Sequence, residues 1–292
     1  MPRRLLLALS FTLATTLVAA QSLPTVNAAM EAVGTFSWVV HGMEYFGTAE
    51  AHGFRVVGTP YVSKQATEIA LRSGEADVKV DDFLGPVLLR DAGIMASGIY
   101  PYATAVGGLV VPVDSDIQSI EDLRGRTVCF VDQASTSGYL VPMKGLMDGG
   151  IDLNEDLTPI LAGGHDASLL TLDAGDCDAA FAHDTMLKTL EESGQVEPGS
   201  LRAVWESDPI TEDPISVNRD SLDPELADQI IEVLREKASK PALVEAGICE
   251  SEDDCVLPEE IEWGYLPVSD EDFDPIREIC EVTQAEACQN VG

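Results

Sequence analysis

Basic side chains are scarce in this chain. Seventeen Lys and Arg stand against 51 Asp and Glu, a formal net charge of −34. Such a surface repels phosphate backbones and anionic lipid headgroups, which excludes nucleic acid and membrane surfaces as partners. Histidine is rarer still, with four residues, and the six cysteines form no CxxC pair and no Cys/His cluster. That removes structural zinc, and the sequence asks for no other metal or cofactor. No G-x-S-x-G elbow occurs, so the commonest serine-hydrolase frame is missing. Long apolar runs are lacking beyond the first twenty residues, so no later segment would span a bilayer.

What is present begins with a leader. Arg3 and Arg4 precede the apolar residues 5–20, which end in the small residues Val18-Ala19-Ala20. This pattern predicts a signal peptide over residues 1–20, cleaved before Gln21. No Cys follows it, so no lipid anchor is expected. The mature chain is expected to be exported, soluble and monomeric, in the periplasm or secreted, with its acidity serving solubility. Export also decides the reading of the cysteines. In an oxidising compartment the simplest pairing is Cys129 with Cys177, Cys249 with Cys255, and Cys280 with Cys288.

The chain then alternates between two periodicities. Residues 34–40 read as an opening strand, 43–51 as a helix and 54–58 as a strand. Ser63 caps a helix over 64–73, with Ala66, Ile69, Ala70 and Leu71 spaced for one buried face. Residues 76–80 form a short strand that ends at Asp81 and Asp82, and a helix with Pro86 in its first turn follows to Asp91. Residues 106–113 are apolar and extended with no helical phase, as a crossing between domains would be. Further strand–helix units fill 126–206, an extended return covers 208–217, and Pro224 opens a helix to Lys237. This grammar predicts an α/β fold with mostly parallel sheets covered by helices.

One stretch carries the most chemistry. The strand Thr127-Val128-Cys129-Phe130-Val131 leads into Asp132-Gln133-Ala134-Ser135-Thr136-Ser137-Gly138-Tyr139 and then into a helix. Three hydroxyls therefore stand where a strand becomes a helix, beside unpaired backbone N–H groups and the positive end of the helix dipole. That is an anion site, or an ordinary helix cap, for which a single hydroxyl suffices.

Residues 126–184 resemble the phosphonate-type solute-binding proteins of bacterial ABC importers. The likeness rests on an ordered set: Val128-Cys129-Phe130-Val131-Asp132, then Ser135-Thr136-Ser137-Gly138, then Gly163-Gly164-His165-Asp166-Ala167-Ser168, then Ala174-Gly175-Asp176-Cys177-Asp178-Ala179-Ala180. The return segment Asp213-Pro214-Ile215-Ser216-Val217 fits as well. The first half is similar to the nitrate/sulfonate/taurine-type relatives, through Gly34-Thr35-Phe36, Gln65-Ala66-Thr67, residues 71–78 and Thr104-Ala105-Val106-Gly107-Gly108-Leu109. The resemblance implies a type II periplasmic-binding fold, two α/β lobes joined by two crossover strands around a central cleft. It assigns residues 21–110 and 210–292 to lobe 1 and 111–209 to lobe 2.

Its ligand set maps onto Ser135, Thr136 and Ser137, onto Gly164, His165 and Asp166, and onto His183 and Asp184. Trp38 either walls the cleft or sits in the core. Asp81 and Asp82 depart from the family's neutral residues at that place. They either cap the next helix or meet a cationic group on the ligand, while Lys64 offers positive charge to an acidic head or points to solvent. The implied function is delivery of a small anionic or zwitterionic solute, a phosphonate, sulfonate or similar, to the membrane permease of an ABC importer. A ligand-sensing receptor of the same fold is the alternative. An enzyme of the pyrimidine-synthesis-like branch is a weaker one. Ser168, His165 and Asp166 supply triad residue types, but side chains one and three apart in one loop rarely orient as nucleophile, base and acid.

Overall fold

The computed structural model describes residues 22–31, 48–61, 64–80, 96–101, 104–211, 214–255 and 265–289. The first strand, β1 (Thr25–Glu31), precedes the segment expected to open the fold. Its in–out alternation holds for Thr25 to Ala28 and is lost over Ala28 to Met30, where the strand lies between two parallel neighbours and successive residues are buried. Val26, Ala28, Ala29 and Met30 are all buried. Residues 34–40 and Trp38 lie outside the described residues, as do Asp81, Asp82 and the helix expected after them.

In chain order there follow α1 (Thr48–Ala51), β2 (Arg55–Tyr61), α2 (Lys64–Ser73), β3 (Val78–Val80), β4 (Ala96–Pro101), β5 (Thr104–Ala105) and β6 (Gly107–Pro112). The central units are β7 (Thr127–Phe130), α3 (Val141–Asp148), β8 (Thr158–Leu161), α4 (His165–Asp173), β9 (Ala179–His183), α5 (Thr185–Glu192) and β10 (Leu201–Glu206). The chain ends with β11 (Ile210–Thr211), β12 (Ile215–Asn218), α6 (Pro224–Lys237), α7 (Lys240–Glu245), β13 (Tyr265–Val268) and α8 (Asp274–Thr283).

These strands form two sheets, ordered β13-β4-β12-β3-β1-β2 and β10-β6-β9-β7-β8, with a two-stranded ribbon of β5 and β11. In the first sheet β1 runs parallel to β2 and β3, and β12 is antiparallel to β3 and β4. In the second, β7 is parallel to β8 and β9, and β6 is antiparallel to β9. Each sheet is covered on both faces. Leu109, Val128, Phe130 and Phe181 pack on the α3 side of the second sheet, and Val110, Cys129 and Ala180 face Leu169 and Leu172 of α4. Val26, Val78 and Val217 of the first sheet meet Ile230, Val233 and Leu234 of α6. Asp223 caps α6 by accepting the Glu225 N–H at 3.0 Å, with Pro224 at the first helical position.

Three disulfides join Cys129 to Cys177, Cys249 to Cys255 and Cys280 to Cys288. The first ties β7 to the residues that open β9. The C-terminal segment holds a feature the sequence did not disclose. Strand β13 belongs to the first sheet, yet Phe273, Ile276 and Ile279 of the following turn and α8 are buried in the second lobe's core. Among the described residues the chain thus crosses between lobes again between residues 268 and 273, in addition to the β5 and β11 crossings. Residues 107–110, read from sequence with lobe 1, are already strand β6 of the second sheet.

Candidate anion site at the strand ends of the second lobe

Three adjacent parallel strands, β9, β7 and β8, each end in a short turn that opens a helix. Parallel strands put all three turns on one edge of the sheet, and with them the N-termini of three helices. Ligands of open α/β sheets bind at this edge. No Lys or Arg occurs in the turns at 132–138, 162–166 and 183–185. The positive potential there comes from backbone dipoles and unpaired N–H groups, which favours an anion without a formal cation.

The middle turn is built first by Asp132, whose Oδ1 accepts the Ala134 N–H at 2.8 Å and bends the chain. Ser135 then caps, its Oγ accepting the Gly138 N–H at 3.2 Å. The first helical turn, Thr136–Leu140, is wound wide, with the Leu140 N–H reaching the Ser135 carbonyl at 3.0 Å, before α3 begins. Such widened turns recur at functional sites because they re-aim side chains. Gly138 is obligatory: a Cβ there would lie 2.2 Å from Val131 Cγ2. Below the turn, Phe130 meets Tyr139 edge-on at 5.6 Å and stacks on Phe181 at 5.1 Å, which fixes its floor. Burial pushes the Tyr139 hydroxyl above the ordinary tyrosine range, so it stays neutral.

Ser135, Thr136 and Ser137 are 2%, 2% and 4% exposed. Of the three, Ser135 serves as the cap. The Thr136 Oγ1 is buried with no hydrogen-bond partner. A buried hydroxyl without a partner costs about 1–3 kcal/mol, and Glu68 Oε1, Ser200 Oγ and Tyr265 Oη are also buried unpartnered among the described residues.

The outer turns add two histidines. His165 opens α4 directly after Gly164, and its Nδ1 accepts the His183 backbone N–H at 3.0 Å. With Nδ1 an acceptor, the neutral ring carries its proton on Nε2. The His165 and His183 rings meet edge-on at 4.6 Å, and His183 Nδ1 lies 2.9 Å from Thr185 Oγ1. Asp166 and Asp184 are exposed at the same helix starts, and the Asp184 N–H donates to the Val106 carbonyl at 3.0 Å. The structure therefore brings Ser135, Thr136, Ser137, Gly164, His165, Asp166, His183 and Asp184 to one sheet edge. Lys64 is the first residue of α2, and its side chain lies outside the described residues, as do Asp81, Asp82 and Trp38. Ser168 is turned into the core, its Oγ donating to the Phe181 carbonyl at 2.8 Å, a structural position rather than a nucleophile's. Among the described residues, no three His, Cys, Asp or Glu side chains gather as a metal site requires.

Sequence reasoning missed Gly107 and Thr185. Gly107 pairs with His183 across β6 and β9. Its signal was the doublet Gly107-Gly108 inside an apolar strand, which marks a close backbone approach. It also missed the ion pair of Lys79 with Glu68 at 3.0 Å, buried in the first lobe.

Comparison with known proteins agrees with this fold. The family model for the phosphonate periplasmic substrate-binding protein of ABC transporters matches residues 45–250. The Phosphate-import protein PhnD of Mycolicibacterium smegmatis is 37% identical over 226 residues, 71% of this chain and 70% of that one. Among solved structures, a binding protein component of an ABC phosphonate transporter from Pseudomonas aeruginosa aligns with TM-score 0.72 at 18% identity, covering 90% of this chain and 87% of that one. PhnD1 from Prochlorococcus marinus, in complex with methylphosphonate, aligns with TM-score 0.71 at 14% identity, covering 89% and 98%. These two show the shared fold, and the family model and the mycobacterial relative show the kinship. The chain belongs to the family of periplasmic substrate-binding proteins of phosphonate ABC transporters.

Proposed function

We propose that this protein captures a small tetrahedral phosphorus oxyanion, a phosphonate or phosphate, and delivers it to the membrane permease of an ABC importer. The unpartnered Thr136 hydroxyl, buried at the mouth of a helix between two further hydroxyls, carries the reading. A tetrahedral oxyanion presents several acceptor oxygens to donors that converge from different directions. Here they are the Thr136 and Ser137 hydroxyls, the first N–H groups of the helix and the Nε2–H of His165. The oxyanion accepts from these donors, and in a closed cleft each charge-assisted bond is stronger than in solvent. The names of the mycobacterial relative and of the methylphosphonate-bound neighbour support this ligand class. The family is periplasmic, and no helix among the described residues is long and apolar enough to cross a membrane.

The ligand is further proposed to carry an amine. Asp184 stands at the end of β9 beside the oxyanion turn, and a carboxylate enclosed on closure is stable only when paired. Thermal-shift measurements with matched compounds test both parts. Methylphosphonate or inorganic phosphate at a hundredfold excess over Kd should stabilise the fold by about 2.7 kcal/mol. Aminoethylphosphonate should stabilise it more than ethylphosphonate, and taurine more than ethanesulfonate. Equal stabilisation within each pair refutes the amine. Stabilisation by the sulfonates and by no phosphorus compound refutes the phosphorus oxyanion.

A further inference from the structure

We infer that Gly107 and Ser207 form the pivot that couples anion capture to movement of the lobes, with Gly107 a positioning residue for the oxyanion turn. The inference rests on the capture reading above. Gly107 is the first residue of β6, separated from the outgoing crossover β5 by Val106 alone, and Ser207 directly follows β10 where the chain leaves for the return crossover β11. β5 and β11 pair with each other, Ala105 opposite Ile210. At the point where both crossings enter the second lobe, the Gly107 N–H donates to Ser207 Oγ at 3.0 Å. The Ser207 N–H donates to the Gly107 carbonyl at 2.9 Å. The Ser207 hydroxyl passes its own proton to the Asp208 carbonyl at 2.8 Å, so its orientation is fixed.

The same glycine supports the site. A Cβ at Gly107 would lie 2.8 Å from the Ser137 carbonyl oxygen and 3.3 Å from Val141 Cγ1. The oxyanion turn therefore rests on the bare Cα of the residue that the return crossover clamps. On its other edge Gly107 pairs with His183, which touches His165. One buried residue thus contacts the hydroxyl turn, the histidine pair and both crossings. A rotation of the ribbon that closes the lobes is transmitted to Ser137 through a single peptide unit, and an anion seated on Ser137 acts back on the ribbon with the same coupling free energy.

Three variants of the full chain test this: Gly107→Ala, Ser207→Ala and Ser207→Thr. Calorimetry with methylphosphonate and inorganic phosphate gives affinity, and small-angle scattering with and without ligand gives closure. Gly107→Ala should weaken binding by about tenfold or more, because its methyl must displace the Ser137 carbonyl. Ser207→Ala keeps the turn intact but frees the Gly107 N–H. It should lose the ligand-induced fall in radius of gyration and weaken binding about fivefold. Ser207→Thr restores the hydroxyl and should restore both. Should Gly107→Ala fail to fold, the serine pair decides alone. Wild-type affinity in Gly107→Ala, or unchanged closure and affinity in Ser207→Ala, overturns the coupling while leaving the capture reading intact. Absence of binding of either compound by the wild-type protein overturns both.

Discussion

In the first lobe, Asp77 is buried and fully engaged. It accepts the Asn27 N–H at 2.9 Å, the Asn27 side-chain amide at 3.2 Å and the Ser221 hydroxyl at 2.9 Å. Asn218, close by, donates to the Leu71 carbonyl at 2.8 Å. In the second lobe, Thr136 is more deeply buried and engages nothing. Both are polar side chains beside a strand end in an α/β sheet. The first set joins β1, β3, α2 and the turn after β12 to one another, so its bonds are internal and structural. The second stands at the start of a helix, and its hydroxyl has no partner within the fold. The contrast is not a general rule, since Ser200 Oγ and Tyr265 Oη are also buried without a partner away from this turn; what distinguishes Thr136 is its place at the opening of a helix on the sheet edge where ligands of open α/β sheets bind. The Lys79–Glu68 pair shows the boundary case. Its charges meet at 3.0 Å, yet Glu68 Oε1 is left without a partner.

That boundary case gives the largest expected effect. Lys79→Met leaves Glu68 buried without its cation and should cost about 3–5 kcal/mol in urea denaturation. Combining it with Glu68→Leu should recover most of the loss. If the double variant is as unstable as the single one, the pair is not what the first lobe's interior rests on. The second lobe's counterpart is covalent. Replacing Cys129 and Cys177 by Ala opens a loop with sequence separation 48, a loss of about 4 kcal/mol by loop entropy. Replacing Cys249 and Cys255 opens a loop with separation 6 and should cost only about 2 kcal/mol.

Thr136→Val sharpens the comparison directly. An apolar group of similar shape removes the unpaired hydroxyl, so the melting temperature should hold or rise. Affinity for methylphosphonate should fall by about 1–3 kcal/mol with the lost donor. A lower melting temperature with unchanged affinity would place Thr136 with Asp77 as a structural group. The smallest effect is expected at Asp223, whose bond to the Glu225 N–H is exposed. Asp223→Ala should cost about 1 kcal/mol and leave ligand binding untouched, since α6 covers the first sheet away from the oxyanion turn.

Legibility differed between the lobes for physical reasons. The strand–turn–helix units of 126–206 have short connections and strong periodicity, so their alternation and the strand, hydroxyl turn and helix at 127–147 could be read from the sequence. In the first lobe, β1 escaped because its alternation is short: Thr25 and Asn27 are exposed, but Ala28, Ala29 and Met30 are successively buried. Strand β4 escaped as well, and it is paired on both edges, by β12 and β13. Helix α8 was not read from the sequence, and its lobe could not have been. Ile276 and Ile279 would suit any apolar surface, and only packing selected the second lobe's core.

The sequence by itself determined the α/β grammar, the family and the run of three hydroxyls at a strand-to-helix turn, and it made the observed disulfide pairing the simplest one open, because each rests on local spacing or on an ordered set of motifs. Tertiary structure alone decided that the turns of β9, β7 and β8 share one edge, that Asp77 is structural, that Thr136 is unpartnered, and that Gly107 bears on Ser137. Those facts depend on strand order, on register and on distances of a few ångströms between residues far apart in the chain. No pattern within a single segment encodes them, because a side chain's partners are set by which surfaces pack together and not by its neighbours in sequence.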